Sequence, residues 1–347
     1  MKRNDRQILA NDVFFINEII NFGPKVKEDL RAPAHNRAIS ADEAGQRLDN
    51  FLFRVLKGVP KSYIYRIIRD GQLRVNGGRS RPATRLLAGD SVRIPPLRLG
   101  APASSRPQSI GHRADIGVLY EDDDLLFVDK PSGLAVHSGS GHETGLIEHL
   151  RVERAGYLEL AHRLDKDTSG VLVLAKSAGT LRALHELFRP GAEGKKLEKI
   201  YLALLQGRWR GGERVLQHQL ETVRSNGAMK RSEISNRGRE AVSVFRPIER
   251  FSDSTLMQVA LRTGRLHQIR AHASAVGYPV AGDRLYGDKV KNLSLRKLGL
   301  RRQFLHALRL QFEHPRSGHS IMIEAPLPEE LEKVLEKLRQ TAVRSDG

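Results

Sequence analysis

Two carboxylates stand two residues apart, Asp165 and Asp167, in the stretch Ala161-His162-Arg163-Leu164-Asp165-Lys166-Asp167-Thr168-Ser169-Gly170. These are turn-forming residue types, and Asp and Ser in a turn commonly do no more than accept hydrogen bonds from nearby backbone N–H groups. The setting allows more. The loop runs into Val171-Leu172-Val173-Leu174-Ala175, an apolar run that reads as a buried strand, and a carboxylate in a loop fixed to a rigid scaffold can serve as nucleophile or general base. Both aspartates qualify. A third residue bears on the choice. Arg270 falls on the apolar stripe of an expected helix, Leu266 to Val276, together with Leu266, Ile269 and Ala273. A guanidinium directed into a core needs a buried anion. Asp165 or Asp167 is the expected partner, in a pair that serves either structure or chemistry. Tyr201, in the strand Lys199 to Leu205, shares a face with Ala203 and Leu205. Such a tyrosine by itself reads as a packed ring seeking one hydrogen bond.

The elements that must position these residues follow from pattern. Ser177 caps a helix carrying Leu181, Leu184, Leu187 and Phe188, closed by Arg189-Pro190-Gly191. Glu121-Asp122-Asp123-Asp124 precedes the strand Leu125 to Val128 and reads as a solvated turn before an edge strand in preference to a metal site, because no second ligand cluster has suitable spacing. A metal centre on His162, Asp165, Asp167, His267 and His272 is disfavoured too, since His267 and His272 are five apart and do not share a helix face. A closing amphipathic helix is expected over Glu329 to Arg339. Nearer the N-terminus, Leu48, Phe51, Leu52, Val55 and Leu56 recur at helical spacing behind Asp42 as cap. A second helix, Lys61 to Asp70, has Ser62 as cap, Ile64, Ile67 and Ile68 on one face, and Arg66 and Arg69 on another. Strands at Gln72 to Asn76 and Asp90 to Pro95 follow, with Gly77-Gly78 as a turn.

The expected divisions are a flexible extension over 1–38, a small module over 39–96, a Pro/Ser/Gly linker over 97–115, a large domain over 116–340 and a tail over 341–347. The chain of 347 residues carries 58 Lys and Arg against 40 Asp and Glu, a formal net charge of +18, which points to a polyanionic partner. From Ser40 to Gly100 there are twelve basic residues against five acidic ones, the electrostatic footprint of a phosphate backbone. With no cysteine, disulfides, thiolate nucleophiles and cysteine-ligated metals are excluded. The apolar patch Val13 to Ile20 is broken by Asn17 and Glu18 and lacks a small-residue cleavage site, so no membrane anchoring and a cytoplasmic location are expected.

The small module resembles the S4 RNA-binding domain, on Gly45-Gln46-Arg47-Leu48-Asp49, Pro60-Lys61-Ser62 and Gln72-Leu73-Arg74-Val75-Asn76-Gly77. That resemblance turns Lys61, Ser62, Arg66, Arg69 and Arg74 towards RNA. His162-Arg163-Leu164-Asp165, Lys199-Ile200-Tyr201, Gly264-Arg265-Leu266-His267-Gln268-Ile269-Arg270 and Leu305-His306-Ala307, in that order, resemble the RluA family of RNA pseudouridine synthases. The resemblance implies a mixed α+β fold with a mostly antiparallel central sheet and a small N-terminal S4 domain. It makes Asp165 the catalytic carboxylate, Tyr201 the base-stacking tyrosine and Arg270 the arginine that pairs with the aspartate. Arg163 becomes the residue that fills space left by a flipped uridine, and His162, Arg265, Gln268 and Leu305 are turned towards substrate. The implied partner is large-subunit (23S) ribosomal RNA or a large-subunit precursor, with no cofactor, no metal and a monomeric enzyme. Whether the carboxylate attacks C1′ or removes the 2′ proton stays open.

Overall fold

In a computed structural model the chain forms two compact units, Met1–Gly111 and His112–Gly347. The structure describes residues 34–56, 59, 61–97, 116–137, 145–154, 156–189, 197–224 and 230–345. Most of the expected N-terminal extension and nearly all of the expected linker lie outside the described residues.

The first unit contains β1 (His35–Ala38), α1 (Leu48–Val55), α2 (Lys61–Arg69), β2 (Arg74–Val75) and β3 (Ser91–Ile94). Its sheet has the order β1-β3-β2. Leu48, Phe51 and Leu52 of α1 meet Ile64, Ile67 and Ile68 of α2 in a core closed by Val92 and Ile94, so the apolar stripes define both helices. Three expectations are corrected. The module begins before residue 39, because His35–Ala38 pair antiparallel with Ser91–Ile94; the strand His-Asn-Arg-Ala is polar and shows no alternation. Asp42 is not the cap of α1. Ser40 precedes a single 3-10 turn, Ala41–Glu43, and its N–H donates to the Glu43 carboxylate at 3.3 Å. Finally, α2 starts at Lys61, so Ser62 lies within its first turn and not at the cap.

The second unit is built on an eleven-stranded sheet among the described residues, mostly antiparallel, as the sequence reading expects. Its elements are β4 (Gly117–Glu121), β5 (Leu125–Lys130), α3 (Leu146–Glu153), β6 (Glu159–Leu160), β7 (Ser169–Ala175), α4 (Ala178–Phe188), β8 (Glu198–Gln206), β9 (Arg214–Arg224), β10 (Lys230–Ile234), β11 (Arg239–Arg250), β12 (Ser254–Leu261), α5 (Gln268–Ala275), α6 (Lys289–Lys297), β13 (Leu305–Glu313), β14 (Ser320–Glu324) and α7 (Glu329–Ser345). The order is β10-β9-β11-β12-β8-β13-β7-β5-β4, with β14 on β13 and β6 on β7. Every residue of β7 is buried, matching its unbroken apolar run. Helix α7 extends through most of the stretch expected as a tail.

The acidic run is also corrected. It forms the hairpin turn from β4 to β5, but β5 is interior, paired on one side with β4 and on the other with β7. Asp124 is buried, and its Oδ1 accepts from Arg316 at 2.6 Å and from Thr180 at 3.1 Å. Asp122 Oδ1 accepts from the backbone N–H groups of Asp124 and Leu125. His314 joins these two aspartates with ligating atoms all within 4.8 Å, yet the carboxylates already have protein donors.

What sets the site is the centre of the sheet. Strand β13 lies against β8 along its length, while its other edge is shared. Its first residues pair in parallel with β7, His306 with Ser169 and Ala307 with Gly170, and Arg309–Glu313 then pair with β14. The crossover demands a residue without a side chain. Gly170 has φ +110°, and a Cβ there would sit 2.2 Å from the Ala307 carbonyl oxygen. The loop carrying Asp165 therefore enters β7 where β8, β13 and β7 are adjacent.

Candidate active site

The aspartate loop is held from behind by two buried cations. The Lys130 ammonium is fully buried and donates to the carbonyls of Pro131, Leu134 and Lys166 at 2.8, 2.7 and 3.0 Å. Burial pushes its pKa down to about 7, opposed by the nearby Asp167 charge. Arg302 donates to the carbonyls of Asp167, Gln303 and Leu305 and to Ser169 Oγ. Gln303 Nε2 donates to Thr168 Oγ1 at 2.8 Å. With the loop backbone tied down, Asp165 projects into a cavity of about 360 Å³, while Asp167 gives its carbonyl to Ser132 and Arg302.

Arg270 on α5 meets Asp165 through Nη1 at 2.9 Å and grips Asp283 bidentately, Nε to Oδ2 at 2.6 Å and Nη2 to Oδ1 at 3.0 Å. The sequence reading expects one aspartate on Arg270, and the structure supplies two. Burial opposes the guanidinium charge, but Asp283 and Asp165 outweigh it and raise its pKa. Asp283 is itself fully buried and accepts from the N–H groups of Leu285 and Tyr286, a short-range turn that orients it. One end of the arginine is anchored and the other is presented. His267, the residue before α5, has φ 51° and ψ 24°, left-handed for a side chain that rarely adopts it. Its Nε2 lies 3.7 Å from Asp165 Oδ2, and its Nδ1 meets the Tyr286 hydroxyl at 3.2 Å. Burial lowers the His267 pKa against the pull of Asp165, so the imidazole is neutral near pH 7.

Tyr201 faces the same cavity from the middle of β8 and is 8% exposed. Burial and the Asp165 charge both raise its phenol pKa, which keeps the ring neutral. The cavity thus combines a fixed carboxylate, a guanidinium anchored from the far side and an aromatic wall. Such a site can attack or deprotonate a sugar while holding a planar base.

Residues 124–275 match the family described as RNA pseudouridylate synthase, and residues 46–92 match the S4 domain. The chain is 46% identical over 310 residues to ribosomal large subunit pseudouridine synthase C of Escherichia coli (strain K12), covering 87% of this chain and 96% of that one. The chain belongs to the RNA pseudouridylate synthase family. The synthase C of Yersinia pestis is also 46% identical, over 88% of this chain and 95% of its own length. Among solved structures, human RNA pseudouridylate synthase domain containing 4 superposes with a TM-score of 0.51 at 27% identity, over 64% of this chain and 93% of that one.

Within the synthase the predicted residues separate into groups. His162, Arg163, Asp165, Tyr201, Arg265, Gln268, Arg270 and Leu305 all line the one cavity. Gln268 is nonetheless committed to the protein. Its Nε2 donates to the Val242 carbonyl and Ser243 Oγ, and its Oε1 accepts from Thr263 Oγ1 and the Arg265 N–H, so it braces the turn in front of α5 and has no polar group left for a substrate. His162 likewise accepts the Val173 N–H on Nε2 at 3.2 Å and packs on Phe188. Leu266 lies outside α5, which begins at Gln268; that helix is buried on nearly all sides, so a one-sided stripe describes it poorly. In the first unit Arg66 packs on Tyr63, with its guanidinium carbon 4.6 Å from the ring centroid, and Arg74 donates to the Gly77 carbonyl. Arg69 is exposed beside Asp70. The side chains of Lys61 and Ser62 lie outside the described residues.

Sequence reasoning missed Asp283, Lys130 and Arg302. Asp283 sits after Gly282, whose φ of +75° and 2.0 Å Cβ approach to the Arg302 carbonyl admit only glycine. A Gly-Asp pair after an apolar run was the available signal. Lys130 acts through backbone carbonyls and Arg302 reaches three more, which leave no trace in side-chain pattern.

Proposed function

We propose that this synthase isomerises uridines of large-subunit (23S) ribosomal RNA, or of a large-subunit precursor, with Asp165 as the catalytic carboxylate. The observation that carries the reading is the Asp283–Arg270–Asp165 arrangement, a buried arginine anchored by one carboxylate and presenting its free Nη1 to a second at the cavity wall. The target uridine leaves its stack to enter the cavity, since its reacting atoms are covered while it is stacked. Asp165 then attacks C1′ or takes the 2′ proton, the C1′–N1 bond breaks, and the uracil turns against Tyr201 until C5 faces C1′. C5 then bonds to C1′ as Asp165 leaves C1′ or gives the 2′ proton back, the C5 proton departs and N1 gains one, so no redox partner or cofactor is consumed. Arg163, Arg265 and Leu305 contact the nucleotide at the rim. On the S4 unit, Lys61, Ser62, Arg66, Arg69 and Arg74 contact phosphates, which position the RNA without reading its sequence. The reading entails a monomer working in the cytoplasm. Among the described residues no helix is long and apolar enough to cross a membrane.

The test is tritium release from large-subunit RNA transcribed with C5-tritiated uridine, for wild type and Asp165→Ala, with and without EDTA. Release by wild type alone, unchanged in EDTA, is expected. Release by Asp165→Ala at the wild-type rate overturns the assignment of the carboxylate. Tight binding without release by the wild type overturns the substrate.

A further inference from the structure

The cavity contains one charged group that the reaction as described above does not use. Lys199 lies two residues before Tyr201 on β8, on the same face, and lines the same cavity. It is 9% exposed. Among the described residues no carboxylate or carbonyl receives its ammonium. Its neighbours include the Phe188 ring, whose centroid is 5.9 Å from Nζ, Gly264, where a Cβ would lie 3.9 Å from Nζ, and His162, whose protonation the Lys199 charge opposes. Buried cations are ordinarily paired, because desolvation without compensation is costly. Lys130, Arg270 and Arg302 of this unit all follow that rule, and Lys199 does not. The charge is therefore kept for something that enters the cavity.

Position says what enters. No ion pair joins Lys199 to Asp165, whereas the Asp165 charge acts on Tyr201, and Lys199 precedes Tyr201 by two residues on the same face of β8. With the sugar carbon C1′ placed at Asp165 and the base over Tyr201, Lys199 is the cation of that strand beside the base. Resting on the function proposed above, we propose that Lys199 is a catalytic residue that donates a hydrogen bond to a carbonyl oxygen of the uracil and stabilises the base as an anion. When the C1′–N1 bond breaks, its electron pair passes to N1 and spreads onto O2 and O4. Asp165 meanwhile supplies a pair to C1′, or takes the 2′ proton so that the C2′–H pair closes onto C1′. Lys199 keeps its proton throughout. The charge of the base disappears when C5 bonds to C1′, which breaks the Asp165–C1′ bond or, in the other course, returns the 2′ proton from Asp165 to C2′; the C5 proton then leaves and N1 is protonated. Such a donor acts where charge develops, in a site that excludes water, where electrostatic stabilisation is largest.

The pH behaviour gives the readout. Burial pushes the Lys199 pKa down to about 8, so the ammonium is lost just above neutrality. The other ionisable groups on the cavity wall are His162, Arg163, Asp165, Arg265, His267 and Arg270; helix α4 contributes Phe188 to that wall. Lys130, down to about 7, lies behind the loop.

The experiment is single-turnover tritium release at saturating and limiting RNA for the full chain, from pH 6.5 to 9.5, with wild type, Lys199→Met and Lys199→Arg. Removing one such donor lowers the saturated rate by about 10²–10³-fold, with KM changed less than about threefold and with the wild-type fall in rate above about pH 8 abolished in Lys199→Met. In Lys199→Arg that alkaline fall moves to higher pH. A raised KM at unchanged saturated rate, with a shallower salt dependence of binding, assigns Lys199 to a phosphate and overturns the proposal. An alkaline fall that stays in place in Lys199→Arg belongs to Lys130 and also overturns it. Should Lys199→Met fail to fold by thermal melting, the Lys199→Arg profile decides alone. Wild type without release refutes the underlying function instead, so the two failures are distinguishable.

Discussion

Arg270 is held by two carboxylates whose surroundings differ, and replacing each by its isosteric amide gives opposite outcomes. Asp283→Asn removes a charge that is fully buried and bonded bidentately to an arginine whose side chain is 9% exposed. Breaking one partner of a buried pair costs about 3–5 kcal/mol; Asp165 remains on Nη1, so the lower figure, about 3 kcal/mol, applies. For a unit of this size that is a fall in Tm of roughly 6–12 °C. Arg270 then follows the remaining carboxylate, and a shift of the pair by about 1 Å lowers the saturated rate by about 10²-fold. Asp165→Asn is the counterpart. Its side chain is 23% exposed and is joined to Arg270 through one nitrogen at 2.9 Å, a partly solvated contact worth less than about 1 kcal/mol, while the chemistry proposed for it is expected to be lost altogether. Urea titration and thermal melting measure the first quantity, and single-turnover tritium release well below Tm measures the second. Equal destabilisation by the two substitutions, or an Asp283→Asn enzyme of wild-type rate and stability, refutes the anchor-and-present reading of Arg270.

Gly170→Ala places a methyl 2.2 Å from the Ala307 carbonyl oxygen at a φ of +110°. Strand β7 must part from β13 at the end of the Asp165 loop, with a stability loss of about 3 kcal/mol or more in urea titration and activity lost out of proportion to RNA binding. Acid weakens the enzyme through its buried histidines. Burial holds His162 down to about 3 and His272 and His306 to about 4, below the ordinary value near 6.5. Between those limits the unfolded chain binds more protons than the folded one, so stability rises with pH from about 4 to 6.5 and is lost as pH falls through that window. Thermal melts across pH 4 to 7 report this, and His272→Gln flattens part of the slope.

How much of this was legible depended on whether a residue works through its side-chain pattern or through geometry. The strand at Val171–Ala175, the helix after Ser177 and the shared face of Tyr201 and Leu205 followed from periodicity, because burial imposes periodicity on apolar residues. Arg270 stood out because a guanidinium among apolar neighbours requires an anion, which left Asp165 and Asp167 as alternatives; only the family resemblance singled out Asp165 and gave Tyr201 a role beyond packing. Strand β1 did not, since His-Asn-Arg-Ala pairs through its backbone and leaves its side chains largely exposed. Gln268 was turned towards substrate by the family resemblance alone, and here four protein groups saturate it. Asp283 shows the general limit. It lies thirteen residues from Arg270 in sequence with no periodic relation to it, and only the Gly282 turn brings them together. A sequence shows which charges need partners, while the choice of partner is made by the turns. The residues that orient the Asp165 loop, Lys130, Arg302 and Asp283, are accordingly those whose bonds go to backbone carbonyls or across a turn. By the same reasoning Lys199, a buried charge with no carboxylate or carbonyl partner among the described residues, is the position at which the proposal above places a substrate.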